Sequence, residues 1–167
     1  MKENARVARF LEEAAKAMAG TSQVEGRDLL AMQVLALIPQ GASVFCPGQT
    51  EMEKIIVPLL QNRVDDYRKA QVTVEEANGA IAETGTIVCT SEKEKSLQAS
   101  LLPAHHIAVL AGDAIYSDLD AFFAAQGSEP PTHITLITGP SRTADIELNL
   151  VVGVHGPEKL DVVVMNK

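Results

Sequence analysis

The stretch LDVVVM, residues 160–165, decides the fold, because it is apolar at every position except Asp161. A nearly continuous apolar run of this length is typical of a strand that is covered on both faces, as in a parallel sheet. We expect the same of HITLIT at 133–138, and both HHIAVLAG at 105–112 and ASVFC at 42–46 are strand-like. The sequence therefore predicts a set of buried, mainly parallel strands.

Amphipathic segments lie between and before these strands. The first is predicted to be a helix that ends at Gly20, because apolar residues recur at helical spacing. These residues are Val7, Phe10, Leu11, Ala14, Ala15 and Met18. A second helix is predicted over 27–38, where the chain reaches Pro39.

Further helical signals follow in the next part of the chain. Residues 51–63 have helical spacing with a kink or break at Pro58, and Thr73 with Glu76 has the spacing of a capping box. Strands that alternate with helices predict the α/β class. The expected architecture is a three-layer α/β/α sandwich with a mainly parallel sheet.

Length and composition predict one domain over residues 1–167, with an N-terminal helical part over about 1–40. No apolar run reaches the length of a membrane span, and the N-terminus lacks the apolar region of a signal peptide, so we expect a cytoplasmic protein. The net charge is −8 and basic residues are scattered, which argues against nucleic-acid binding.

The two cysteines, Cys46 and Cys89, lie in apolar runs and are predicted to be buried structural thiols. No cysteine or histidine spacing suits zinc or an iron–sulfur cluster, and no glycine-rich dinucleotide motif or phosphate-binding loop is present. We therefore expect neither a metal nor a bound cofactor.

The turn ETGT at 83–86 is the first candidate ligand site. Gly85 would let a ligand approach the backbone closely, and the hydroxyl groups of Thr84 and Thr86 could donate to an anion. Glu83 is a candidate base or nucleophile. A strand bulge with satisfied threonines explains the same residues equally well.

The second candidate is TGPSRTADIE at 138–147. Gly139 permits a sharp turn, Ser141 and Thr143 carry hydroxyl groups, and Arg142 carries a planar guanidinium that suits a carboxylate or phosphate. The alternative is that Arg142 only pairs with Asp145 or with Glu147.

Two histidines are candidate acid–base groups. His106 begins an apolar strand, and His155 lies in the glycine-flanked turn GVHGP at 153–157. Either could instead be a satisfied structural residue.

Three blocks, taken in order, resemble the LUD-domain family: AIAETGTIV at 80–88, LLPAHHIAV at 101–109 and TGPSRTADIELNLVVGVHGPEKLDVVVMN at 138–166. The resemblance covers a core of about 73–167 and is weaker before it. It implies a fold like that of the NagB/RpiA/CoA-transferase group.

The resemblance also implies a role in the oxidation of L-lactate to pyruvate, in a cytoplasmic system with iron–sulfur partner subunits. Because two cysteines cannot hold a four-cysteine cluster, this chain would be an accessory or substrate-handling subunit. Expected partners are those subunits, a small organic acid or another anion, and further copies of the chain.

Under the resemblance the two turns meet and bind the acid together. The ligand-binding set is Thr84, Gly85, Thr86, Gly139, Ser141, Arg142, Thr143 and Asp145, and the catalytic candidates are Glu83, His106 and His155. Two other functions stay open. One is a stand-alone enzyme of the same fold group that acts on a sugar phosphate, a CoA ester or a folate; the other is a regulatory protein that senses a metabolite.

Overall fold

A computed structural model describes residues 3–91, 97–127, 130–144, 150–152 and 156–166. The helices are α1 (Glu3–Lys16), α2 (Arg27–Leu37), α3 (Glu51–Ile56) and α4 (Leu119–Ala125). The strands are β1 (Gly20–Glu25), β2 (Val44–Phe45), β3 (Val72–Glu76), β4 (Gly79–Ile81), β5 (Thr86–Thr90), β6 (His105–Ala111), β7 (Ile115–Tyr116), β8 (Ile134–Ile137), β9 (Arg142–Ala144), β10 (Leu150–Val152) and β11 (Lys159–Asn166).

A five-stranded parallel sheet forms the centre of the molecule, in the order β1-β11-β6-β3-β2. The LDVVVM stretch is β11, which pairs with β1 on one side and β6 on the other. Val162, Val163 and Val164 are at most 1% exposed, as expected for a strand covered on both faces. The predicted α/β class with a mainly parallel sheet is confirmed.

Two layers cover this sheet. Helices α2 and α3 lie on one face, where Leu30, Val34 and Ile56 pack against the valines and isoleucines of β2, β3, β6 and β11. On the other face lie α1, through Val7 and Phe10, and a second sheet of four strands in the order β7-β4-β5-β8. One outer layer therefore contains a small sheet as well as a helix.

The HITLIT stretch differs from the expectation. It forms β8, which pairs antiparallel with β5 alone in the four-stranded sheet. Leu136 is 45% exposed, because β8 is an edge strand whose outer face is only partly covered. Ile137, which points to the opposite face from Leu136, is buried in the core, so this apolar run does not mark a strand that is buried on both faces.

Several local structures differ from those that the sequence predicts. Helix α1 ends at Lys16, and Met18, at φ +71°, takes the left-handed position after it that glycine usually occupies. The Thr73–Glu76 spacing is not a capping box, since both residues lie in β3. A capping box is instead formed by Thr50 and Glu53 at the start of α3.

The N-terminal segment 1–40 is not wholly helical, because it contributes the edge strand β1. Gly20 begins this strand where the carboxylate of Asp161, on the neighbouring β11, occupies the space of a Cβ atom. The chain breaks near Pro58 as expected, where α3 gives way to a 3₁₀ turn at Val57–Leu59.

Both cysteines are buried free thiols, which the sequence predicted. Burial, aided by the negative charge of Glu53, raises the pKa of Cys46 to about 12, so its thiol stays protonated. Within the described ranges, no helix has both the length and the apolar character needed to cross a bilayer.

Candidate functional site

The two predicted turns meet in the structure. The ETGT turn joins β4 to β5, and TGPSR follows β8, the antiparallel neighbour of β5. The hydroxyl oxygen of Thr86 lies 2.6 Å from that of Thr84 and 2.7 Å from that of Thr138. A chain of three threonine hydroxyl groups therefore links one turn to the other.

The turns lie near the amino ends of the parallel strands. Gly139 packs against Ala17, which precedes β1, and the backbone N–H of Ser141 donates to the carbonyl of Pro157, which precedes β11, at 2.8 Å. Ligands in open α/β sheets usually bind at the opposite, carboxyl edge of the strands. The two turns follow strands of the four-stranded sheet, so this preference for the carboxyl edge of the parallel sheet does not apply to them directly.

The two glycines in these turns are required by α1. Gly85 has φ +65° and Gly139 has φ +71°, conformations that favour glycine. A Cβ atom at Gly85 would collide with the backbone of Glu13 and Ala14, and one at Gly139 would collide with the carbonyl of Ala17. Close packing against the last turn of α1 explains both glycines without a ligand, and their ligand-binding role stays a prediction.

Arg142 is exposed at the start of β9. Its guanidinium Nη1 donates to the sulfur of Met18 at 3.7 Å, and no described carboxylate forms an ion pair with it. Asp145, Glu147 and His155 lie outside the described residues, and of Thr143 only the backbone, in β9, is described. The rival pairing of Arg142 with Asp145 or Glu147 therefore stays open.

The surface of the two turns is polar and largely open to solvent. Glu83, Thr84 and Thr138 are exposed, whereas Thr86 is buried. Three hydroxyl groups carry three O–H donors and the two contacts use two of them, so one O–H group is left to donate to another acceptor. Together with a guanidinium, that donor suits a carboxylate.

His106 lies in the interior, away from these turns. It is fully buried, and its Nε2 lies 3.1 Å from Oε1 of Glu75. The hydroxyl of Ser100 donates to the same carboxylate oxygen. Glu75 and Ser100 are also buried, so solvent does not reach this group. His106 has no described contact with the ETGT or TGPSR turn, and its catalytic role stays a prediction.

A second histidine cluster, absent from the sequence predictions, joins the amino ends of β6 and β11. Nε2 of His105 lies 2.6 Å from Oδ2 of Asp161, and Nζ of Lys159 lies 2.9 Å from the same oxygen. Burial alone would raise the pKa of Asp161, but hydrogen bonds from His105 and Lys159 outweigh it and lower the pKa. The register that sets Lys159 beside His105 creates the cluster, and sequence spacing cannot show it.

A groove at the carboxyl edge of the parallel sheet was also missed; we call it the carboxyl-edge groove. Its volume is about 480 Å³, and its lining residues are Arg27, Gln49, Thr50, Glu51, Met52, Glu76 and Met165. They come from four separate segments, which no single motif could reveal. Within the described part of the chain, no group of three or more His, Cys, Asp or Glu residues could hold a metal ion.

Comparison with known proteins places the chain in a family. The LUD domain model matches residues 62–165. Lactate utilization protein C from Macrococcus caseolyticus is 40% identical over 105 residues, which cover 59% of this chain and 45% of that protein. The same-named proteins of Halalkalibacterium halodurans and Bacillus subtilis are each 38% identical, over 56% and 59% of this chain and 44% of their own length.

One solved structure covers almost the whole chain. A DUF162 family protein from Deinococcus radiodurans superposes with a TM-score of 0.70 over 99% of both chains, at 21% identity, which supports the fold. The chain spans less than half the length of the curated relatives it matches. Because the LUD domain model matches more than half of the sequence, the chain belongs to the LUD-domain family.

Proposed function

We propose that this chain takes part in lactate utilisation, as an accessory or substrate-handling component of an iron–sulfur-dependent oxidation of L-lactate to pyruvate in the cytoplasm. The observation that carries the proposal is the 38–40% identity to lactate utilization protein C over about 100 residues. Because the chain spans under half of those relatives, their role is transferred to it only as a proposal.

An accessory role follows from the chemistry of the reaction. Oxidation of the lactate hydroxyl carbon releases an electron pair and two protons, and an acceptor must take the electrons. An iron–sulfur cluster of the common kind needs four thiolates. This sequence has two cysteines, and each is buried in a different core cluster. We infer that the clusters that accept the electrons belong to partner subunits.

For the acid itself, we propose the surface formed by the two turns. Arg142 would pair with the lactate carboxylate through its planar fork, and the remaining O–H group of the threonine chain would donate to it. Support comes from the exposure of Arg142, from the absence of an ion pair to any described carboxylate, and from the 2.7 Å contact between Thr86 and Thr138 that joins the turns. Glu83, the exposed residue before Thr84, is the proposed proton acceptor.

Reconstitution with partner proteins tests this function. The chain would be co-expressed with cysteine-rich iron–sulfur proteins encoded beside its gene, and the complex isolated through a tag on this chain. We expect co-purification and bleaching of the cluster absorbance on addition of L-lactate. Partners that oxidise lactate at the same rate without this chain, and do not bind it, would contradict the proposal.

A further inference from the structure

We infer that two copies of this chain associate through the outer edge of β1 and the exposed face of α2. We call this surface the β1–α2 face; it consists of β1 together with Leu29, Met32, Gln33 and Ala36 of α2. The inference does not rest on the proposed function, because it uses none of the residues of the two turns.

Strand β1 forms an open edge of the central sheet. Among the described strands it pairs with β11 alone, in an unbroken register from Gly20 to Glu25. The strand at the opposite edge, β2, has only two residues. Natural proteins usually protect a long edge strand with lysines, prolines or bulges. GTSQVE has no lysine or proline, and its register has no bulge, so within the described chain its outer backbone groups are free to pair with another strand.

Helix α2 presents an uncharged stripe beside this edge. Leu29 is 50% exposed and Met32 is 66% exposed. With Gln33 and Ala36 they have the i, i+3, i+4, i+7 spacing of a single helix face. A shallow groove of about 650 Å³ lies between this stripe and β1. In a chain with a net charge of −8, an uncharged apolar stripe favours an apolar partner surface over a basic one.

The position of α2 over the sheet favours a second copy as that partner. Leu30 and Val34 pack with Val24 of β1 and Val163 of β11, so α2 lies over these two strands. A two-fold axis beside β1 would place the β1 strands of the two copies about 4.8 Å apart as antiparallel neighbours. The two α2 helices then lie two strand spacings apart, at about 9–10 Å, which is the usual distance between packed helices. One arrangement therefore satisfies both the strand pairing and the helix packing.

The same axis brings complementary side chains together. The two α2 helices run antiparallel across it, so Leu29 faces the partner's Ala36, a large side chain against a small one. Met32 lies near the axis, beside the partner's Met32. Glu25, the only charged residue of β1, lies near the far end of the partner strand and not beside its own copy. No like charges meet within the β1–α2 face.

The size of the β1–α2 face sets the expected affinity. The face is about 20 Å long and spans two layers about 10 Å apart, which is less than the roughly 800 Å² per partner of a standard interface. We therefore expect a reversible dimer with a Kd in the micromolar range. Because both copies are negatively charged, added salt should lower this Kd.

Sedimentation equilibrium of the intact chain, at low to high micromolar concentrations, tests the inference. Met32→Lys should raise the dimer Kd at least tenfold, because two ammonium groups would meet at the axis. Its Tm should not change, since the side chain is exposed. The matched control is Leu102→Lys, which makes the same change of charge at an apolar residue that is 59% exposed and lies outside the face. Its Kd should stay within twofold of that of the unmodified chain.

Cross-linking gives a second readout. Met32→Cys places a thiol beside the axis, and a short bismaleimide should link two copies there, whereas Leu102→Cys should give no such dimer. Cys46 and Cys89 are buried and do not compete for the reagent.

Three outcomes would overturn the inference. One is a chain that stays monomeric at high micromolar concentration, and another is a dimer whose Kd Met32→Lys leaves unchanged. The third is a monomeric chain in which Met32→Lys abolishes binding of iron–sulfur proteins, because the face would then belong to a different partner. Lactate titrations of the Arg142 variants give their result independently, so failure of the dimer does not decide the proposed function.

Discussion

Replacement of Arg142 separates a ligand-binding arginine from a structural one. The side chain is exposed, and its described polar contact is a 3.7 Å donation to the sulfur of Met18. A thioether is a weak acceptor, so the loss of this contact should change the free energy of unfolding by no more than about 0.5 kcal/mol. Arg142→Ala should therefore leave the Tm almost unchanged.

Lactate affinity should respond far more strongly. A hydrogen bond between charged groups contributes about 1.5–3 kcal/mol, which corresponds to a roughly 10- to 150-fold weaker Kd for Arg142→Ala. The lactate Kd of Arg142→Lys should lie between those of the unmodified chain and Arg142→Ala, because lysine keeps the charge but loses the bidentate fork. The assay is calorimetric titration with L-lactate and with pyruvate, combined with a thermal melt of each variant.

A matched control and a rival outcome complete the test. Arg9→Ala removes an exposed arginine of α1 and should change neither lactate affinity nor Tm by much. If Arg142 instead clamps Asp145 or Glu147, then Arg142→Ala, Asp145→Asn and Glu147→Gln should all lower the Tm by several degrees. A large loss of stability with unchanged affinity would refute the ligand-binding assignment.

Three further predictions concern stability. Gly139→Ala should destabilise the fold by at least about 2 kcal/mol in urea unfolding, because φ is positive and the new Cβ would collide with the carbonyl of Ala17, directly after α1; a neutral result would show that the two segments do not pack so closely. The pKa of Asp161 is lowered in the fold, so its stabilising effect is fully present above the unfolded pKa of about 4 and is lost as the pH falls through the lower folded pKa. Asp161→Asn should therefore reduce the pH dependence of the free energy of unfolding between pH 5 and pH 2. An unchanged dependence would contradict this. Replacement of Cys46 or Cys89 by Ala should cost about 1–3 kcal/mol of stability, because each side chain is at most 2% exposed and its removal loses core packing; Ala variants as stable as the unmodified chain would count against it.

Strands covered on both faces were the part of the fold that the sequence predicted best. LDVVVM needs apolar side chains at successive positions only if both faces are buried, and β11 is such a strand. HITLIT looked similar, but whether a strand joins a central or an outer sheet depends on long-range pairing. The polar edge strand β1 was not predicted, because GTSQVE has too few apolar residues to show the hydrophobic pattern of a strand.

The candidate site was predicted in part. The ETGT and TGPSR turns were expected to meet, and antiparallel pairing of β5 with β8 brings them together. The reason for their glycines was not foreseeable, since it lies in the approach of α1, more than 60 residues earlier in the chain than Gly85. The carboxyl-edge groove could not be predicted from the sequence either, because its lining residues Arg27, Thr50 and Glu76 come together only in the folded chain.

The most direct test of the proposed function is the effect of this chain on electron transfer from L-lactate. The iron–sulfur partner proteins would be mixed with L-lactate under anaerobic conditions, with and without this chain, and cluster reduction followed by visible absorbance. We predict rapid bleaching only when the chain is present, and much slower bleaching with Arg142→Ala. Equal rates with and without the chain would contradict it.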